Sequence, residues 1–172
     1  METERKGGAT FKGNPLTLVG NEIKVGQTAP NATLTANDLS GFELSSLKGK
    51  KIILSVVPSL DTGICDLQTK RFNQEAGKLG NDVTILTISM DLPFAQKRWC
   101  GATHSDKVKT LSDHRSAEFG EKYGVLIKGL RLLTRSIFVV DANGILRYKQ
   151  FVPEITTEPN YDEALAALKN LK

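Results

Sequence analysis

Three runs of apolar residues mark the centre of a sheet. Residues 52–57 form a nearly continuous apolar run rich in β-branched side chains, and residues 83–88 and 136–140 repeat this pattern. Runs of this length and composition are typical of strands that are covered on both faces. The pattern therefore predicts three interior strands with other elements packed above and below them.

The segments between these strands show helical spacing. After the first strand, Phe72, Ala76 and Leu79 fall on one face of a helix predicted over residues 63–80. A shorter helix is predicted over residues 93–100, with a proline in its first turn. A strand, helix, strand order of this kind indicates that the first two interior strands are parallel.

The N-terminal part of the chain is predicted to form small hairpins. Because residues 1–8 are charged and contain no long apolar stretch, we expect residues 1–9 to be disordered. Short strands are predicted where apolar or β-branched residues flank turns rich in glycine and asparagine. These strands are residues 10–12, 16–19, 22–25, 33–35 and 41–44.

The C-terminal part combines a hairpin with an amphipathic helix. Residues 141–144, with the sequence DANG, turn the third interior strand into an antiparallel partner at residues 145–148. A helical piece is predicted around residues 116–123. In the last helix Asn160 can act as the N-cap, with Glu163 three residues later.

The order of these elements indicates the fold class. A β-α-β unit followed by β-β-α is the order of a thioredoxin-like fold, although a flavodoxin-like sheet shares the first half. We expect an α/β protein with a mixed central sheet flanked by helices and an N-terminal β-hairpin extension. A chain of 172 residues fits one domain, residues 1–172.

Composition and charge exclude two classes of partner. The 23 basic and 19 acidic residues give a net charge of +4 and a pI near 9.1. These charges are spread along the chain instead of forming a basic stripe with aromatics, so we expect no nucleic-acid partner. The N-terminus resembles no signal peptide and no apolar run could span a bilayer, so we expect a cytoplasmic protein without a membrane partner.

The two cysteines narrow the possible chemistry. In a reducing compartment they are buried thiols, metal ligands or redox groups. Cys65 lies at the start of the predicted helix that follows the first interior strand, where unpaired backbone N–H groups and the helix dipole favour a thiolate. Open α/β sheets carry their sites at this end of the strands. By residue type alone, a buried cysteine is more often a small apolar side chain.

The residues around Cys65 resemble a known family. Pro58, Thr62 and Cys65 match the PxxxTxxC active-site signature of peroxiredoxins, and the run PSLDTGIC is similar to bacterial thiol peroxidases. Further segments agree in order along the chain: DLPFAQ at residues 91–96, WCG at 99–101, LSD at 111–113 and EITTEP at 154–159. The resemblance extends from about residue 10 to the C-terminus.

This resemblance implies a thioredoxin fold and the reduction of hydroperoxides. It makes Cys65 the peroxidatic cysteine, with Pro58 and Thr62 completing the signature. Asp61 and Thr62 are both candidate helix caps, and Thr62 can also orient a peroxide through its hydroxyl. Arg135 matches the family's active-site arginine, which would stabilise the thiolate and the charged transition state. Without the motif, a surface ion pair is the simpler interpretation of Arg135.

The resemblance also gives Cys100 a role. No CxxC motif is present, because Cys65 is followed by aspartate, leucine and glutamine. In the family, the cysteine at this position resolves the sulfenic acid within the same chain, which implies an intramolecular disulfide. Since Cys65 and Cys100 lie on different predicted helices, we expect local unwinding in each cycle. His104 and the nearby His114 leave a zinc site as a weaker alternative; we expect no metal or cofactor.

The partners follow from the same resemblance. It implies a hydroperoxide substrate, thioredoxin as the reductant and a homodimer. The sequence leaves open whether hydrogen peroxide, an alkyl hydroperoxide or a lipid hydroperoxide is preferred. From a different class of function, a thioredoxin-fold binding or chaperone module with inert cysteines remains an alternative.

Overall fold

The interior strands lie side by side in the larger of two sheets. The computed structural model describes residues 3–105 and 107–171. Its strands are β1 (Glu4–Phe11), β2 (Asn14–Val19), β3 (Thr33–Thr35), β4 (Gly41–Glu43), β5 (Lys51–Val56), β6 (Val83–Ser89), β7 (Lys109–Ser112), β8 (Leu126–Ile127), β9 (Leu132–Leu133), β10 (Ser136–Val140) and β11 (Leu146–Phe151). Its helices are α1 (Gly63–Ala76), α2 (Pro93–Thr103), α3 (Glu118–Lys122) and α4 (Tyr161–Lys169), with a 3-10 turn at Leu44–Leu47.

The larger sheet is mixed, as the sequence predicts. Its strand order is β11-β10-β5-β6-β7-β3-β4. Strand β5 is parallel to β6, and β6 is parallel to β7, whereas β10 is antiparallel to β5. The predicted crossover from β5 through α1 to β6 is therefore confirmed. The hairpin of β10 and β11 is also confirmed, because the two strands pair in antiparallel register.

Both faces of this sheet are covered, which explains the uninterrupted apolar runs. Successive residues of β5 point to opposite faces, since side chains alternate along a strand. Ile53 lies in a cluster with Phe72 of α1 and Leu168 of α4. Leu54 lies on the other face, in a larger cluster that includes Tyr123. The sheet is thus the middle layer between two apolar cores.

The smaller sheet corrects two expectations for the N-terminus. Residues 1–9 are expected to be disordered, but residues 4–9 belong to β1, which pairs with β2. Residues 1 and 2 lie outside the described residues. Residues 22–25, expected to form a strand, are irregular, and the outer partner of β2 is β8. The backbone N–H of Lys24 bonds to the Gln27 side chain, and that of Gly26 to the Leu146 carbonyl. These two N–H groups are therefore bonded outside any strand ladder.

The helices differ from the predictions mainly at their C-terminal ends. Helix α1 ends at Ala76, short of the predicted residue 80, and α2 continues to Thr103 before His104 takes a left-handed conformation. In α4 the predicted cap is present, since Asn160 Oδ1 accepts from the Glu163 N–H at 3.1 Å. Of the helices in the described residues, none is long and apolar enough to cross a bilayer.

A buried carboxyl group holds the start of α3. Asp113 is 2% exposed, and its two oxygens accept from the backbone N–H groups of Phe119 and Gly120 at 3.0 and 2.8 Å. Burial raises the pKa of Asp113 to about 6, although these hydrogen bonds oppose the rise, and Glu118 and Glu121 add to it. The folded chain therefore keeps this proton at pH values where the unfolded chain has lost it.

This difference predicts a pH-dependent stability. Because the pKa of Asp113 is higher in the folded state, its contribution to the free energy of unfolding is fully present below about pH 4. This contribution is lost as the pH rises to about 6, by at most about 1.4 kcal/mol per pH unit. Urea unfolding at pH 4.5 and 6.0 should show the wild type losing more stability, or gaining less, than Asp113→Asn over this interval. Equal pH slopes for the two proteins would contradict this assignment.

Candidate active site

Cys65 lies fully buried in the first turn of α1. Thr62 is the N-cap residue, and its hydroxyl accepts from the Cys65 N–H at 3.4 Å and donates to the Ser59 carbonyl at 3.1 Å. The helix thus begins after a short loop that follows β5, as predicted. Because Cys65 is 0% exposed, a reactant can contact the sulfur only when the residues around it move apart.

Arg135 lies beside this sulfur and not on the surface. Its side chain is 1% exposed, and its Nη2 donates to Cys65 Sγ at 3.1 Å. The sheet register explains the position, because Ser136 at the start of β10 pairs with Val56 at the end of β5. The surface ion pair considered from the sequence is therefore wrong for this residue.

The other two nitrogens of the guanidinium each donate one hydrogen bond to a neutral group. Arg135 Nη1 donates to Gln68 Oε1 at 2.9 Å, and Nε donates to the Ile155 carbonyl at 3.0 Å. Gln68 is fixed in turn by a 2.8 Å bond from its Nε2 to Ser55 Oγ on β5. The role of Gln68 in the site was not predicted from the sequence. It follows Cys65 by three residues, and that spacing places both on one face of a helix.

The charge balance around Arg135 is unusual for a buried cation. No carboxylate of the residues described lies within 4.0 Å of its guanidinium. A buried charge is costly unless it is paired. The Cys65 sulfur accepts a hydrogen bond from this guanidinium, so the positive charge lies directly beside the sulfur.

The loop before α1 is tied to the end of β6. The Asp91 carboxylate accepts from Ser59 Oγ at 2.7 Å, from the Leu60 N–H at 2.8 Å and from Ser89 Oγ at 2.7 Å. Pro58 is buried at the start of this loop. Asp91 opens the DLPFAQ segment, and its role in fixing the loop emerges only in three dimensions.

Cys100 lies on α2, at the edge of the apolar cluster that contains Cys65. The cluster consists of Val57, Leu60, Cys65 and Trp99, with Cys100 packed partly buried against it. The Cys100 sulfur is 3.6 Å from Thr110 Oγ1 on β7. Burial raises the pKa of the Cys100 thiol, and the contact with Thr110 opposes that rise. Both thiols are free in this structure.

The two histidines considered as zinc ligands have other surroundings in the structure. His104 is the C-cap residue of α2, and His114 Nδ1 is 2.9 Å from Ser112 Oγ. Within residues 3–105 and 107–171, no group of three histidine, cysteine or acidic side chains is arranged to hold a metal ion.

Comparison with known proteins places this arrangement in a family. Residues 24–165 match the Redoxin family model. The chain is 59% identical to the thiol peroxidase of Bacillus subtilis, over 94% of this chain and 96% of the relative. The chain belongs to the thiol peroxidase family. The thiol peroxidase of Halalkalibacterium halodurans is 56% identical, over 93% and 96% of the two chains.

A solved structure gives the same result for the fold of this thiol peroxidase. A peroxiredoxin-like protein from Aquifex aeolicus superimposes with a TM-score of 0.90 at 42% identity, covering 99% of each chain. The predicted thioredoxin-like α/β fold is thereby confirmed, and the flavodoxin-like alternative is wrong. The Redoxin match begins after β2, so the hairpin of β1 and β2 is an extension to the matched region.

The bonds around the guanidinium predict an effect of Gln68. Gln68→Met keeps the volume of the side chain but removes one hydrogen-bond acceptor from Arg135, so the guanidinium loses part of its alignment on the sulfur. We expect the second-order rate constant for oxidation of Cys65 by hydrogen peroxide to fall about tenfold. Stopped-flow mixing of the reduced protein with peroxide measures it.

Thr69→Val is the matched control, because it removes a buried hydroxyl of the same helix that bonds to the Cys65 carbonyl and not to Arg135. We expect this variant to stay within about threefold of the wild type. If the Gln68 and Thr69 variants react equally fast, the alignment of Arg135 by Gln68 is refuted.

Proposed function

We propose that this chain is a thiol-specific peroxidase that reduces hydrogen peroxide and organic hydroperoxides to water and alcohols. The observation that carries the proposal is the 3.1 Å contact between Arg135 Nη2 and Cys65 Sγ in a buried site at a helix start. The membership of the thiol peroxidase family supports the same reaction. Cys65 has the part of the peroxidatic cysteine.

In the first step the Cys65 thiolate attacks one peroxide oxygen in line with the O–O bond. That bond breaks, the leaving oxygen takes up a proton and departs as water or an alcohol, and the sulfur becomes a sulfenic acid. Arg135 stabilises the charge that develops on the reacting atoms. The Thr62 hydroxyl, one turn before the sulfur, orients the peroxide. Pro58 limits the access of water to the sulfur.

In the second step Cys100 resolves the sulfenic acid. A new S–S bond forms, and the sulfenic hydroxyl leaves as water with the proton of the Cys100 thiol. A disulfide needs Cα atoms about 4.4–6.8 Å apart. Cys65 is fully buried in the first turn of α1, and Cys100 contacts Thr110 on β7, so local unwinding of the helices brings the sulfurs together.

A dithiol reductant completes the cycle. We propose a thioredoxin-type protein that reduces the intramolecular disulfide and returns both thiols. A homodimer and a cytoplasmic location belong to the same proposal, and the family membership supports them. The alternative of a thioredoxin-fold binding module with inert cysteines predicts no reaction with peroxide, and the following experiment separates the two.

Thiol counting tests the assignment of the two cysteines. We expect an excess of hydroperoxide to remove both free thiols of the wild type without linking two chains, as measured by alkylation and mass spectrometry. Cys65→Ser should keep its remaining thiol and lose turnover, because the attacking sulfur is gone. Cys100→Ser should consume one peroxide quickly and then fail to turn over with thioredoxin.

The two serine variants are each other's control, since each removes one sulfur at the same cost in volume. Unchanged thiols in the wild type would favour the inert module. Undiminished peroxide consumption by Cys65→Ser would show that the attacking group lies elsewhere in the chain.

A further inference from the structure

A single polar contact joins the two helices that carry the cysteines. Trp99 Nε1 on α2 donates to Asp66 Oδ1 on α1 at 2.9 Å. Within the part of the chain that the structure describes, this is the only side-chain hydrogen bond between α1 and α2. Asp66 directly follows Cys65 and Trp99 directly precedes Cys100, so the contact links the residues adjacent to the two sulfurs.

The surroundings of this contact make it stronger than an ordinary surface bond. Trp99 is 8% exposed and belongs to the apolar cluster with Cys65. Lys70 Nζ lies 2.7 Å from the second oxygen of Asp66 and holds the carboxylate in place. A hydrogen bond to a charged acceptor contributes more than a neutral one, and partial burial protects it from water.

The second half of the proposed reaction requires this contact to open. The Cys65 sulfur faces Arg135 and the Cys100 sulfur faces Thr110, in different directions within the fold. Unwinding the first turn of α1 carries Asp66 away with Cys65, and unwinding α2 carries Trp99 away with Cys100. Either motion separates the indole from the carboxylate.

We propose that the Trp99–Asp66 hydrogen bond sets the rate at which the Cys65 sulfenic acid and the Cys100 thiol join. This inference rests on the proposed function. Trp99 and Asp66 are positioning residues, which touch neither the peroxide nor the reacting oxygen. While the Trp99–Asp66 hydrogen bond is intact, the Cys65 sulfenic acid stays beside Arg135 and apart from Cys100. A second peroxide can then oxidise it to a sulfinic acid before Cys100 arrives.

Trp99→Phe tests this inference without changing the charge near Cys65. The variant keeps an aromatic ring in the cluster but removes the N–H donor. We expect disulfide formation to be about tenfold faster, the size expected for loss of one hydrogen bond to a charged acceptor. The rate constant of the first peroxide step should stay within about twofold. Rapid-quench alkylation followed by mass spectrometry measures both steps.

Arg98→Gln is the matched control. Arg98 precedes Trp99 on α2, and its Nη2 lies 3.8 Å from Asp61 Oδ1 in the loop before α1. Both of these side chains are well exposed, and exposed ion pairs contribute little to stability. We expect this variant to form the disulfide within about twofold of the wild-type rate.

Overoxidation gives a second readout that a general loss of stability would not produce. Faster resolution leaves less time for a second peroxide, so the sulfinic fraction of Cys65 at a fixed peroxide concentration should fall about tenfold in Trp99→Phe. In the wild type, Trp99 is the only tryptophan, and its fluorescence should change with disulfide formation and not with the first step.

The outcomes separate this inference from the proposed function. If Cys65 does not react with peroxide at all, the proposed function fails. If Cys65 reacts normally but Trp99→Phe resolves at the wild-type rate or more slowly, the Trp99–Asp66 inference alone is overturned. A Trp99 fluorescence signal that is constant during disulfide formation would overturn it as well.

Discussion

A buried guanidinium that meets no carboxylate in the described part of the chain is the constraint on which the site depends. Arg135 is enclosed by the protein, and its neighbours Gln68 and the Ile155 carbonyl are neutral acceptors. Its positive charge is therefore directed at the Cys65 sulfur, the third group that accepts a hydrogen bond from it. If an aspartate or glutamate contacted the guanidinium, its carboxylate would already neutralise the positive charge of Arg135 in the absence of substrate.

The architecture brings these two groups together from distant parts of the chain. The antiparallel pairing of β5 and β10 places Arg135, just before β10, next to the end of β5. The same end of β5 leads into the loop that Asp91 holds and then into α1. A sheet covered on both faces thus fixes a guanidinium and a thiol to within hydrogen-bond distance.

The parts of this picture that the sequence predicts are those set by short-range patterns. The apolar runs of β5, β6 and β10 are local signals, and so is the N-cap position of Thr62 three residues before Cys65. Gln68, Asp91 and the contact of Trp99 with Asp66 escaped prediction, because they depend on which helix faces meet after folding. The two-residue strands β8 and β9 are too short to leave a periodic pattern.

A fully buried sulfur suits the first step of the proposed cycle and hinders the second. Burial excludes water and strengthens the interaction with Arg135, whereas resolution requires the sulfur to leave that environment. The hydrogen bond between Trp99 of α2 and Asp66 of α1 favours the buried arrangement, and it must break before the sulfur can leave it. In the proposed cycle, the lifetime of the sulfenic acid therefore depends on the stability of these two helix segments.

The most direct test of the central claim replaces the guanidinium itself. The measurement is the second-order rate constant for the reaction of Cys65 with hydrogen peroxide, in Arg135→Met and Arg135→Lys, with circular dichroism confirming that each variant is folded. Removal of the charge should slow the reaction by about a hundredfold, and lysine should restore only part of it, because a single ammonium cannot replace the planar fork. A folded Arg135→Met protein that reacts within a few-fold of the wild type would contradict this account.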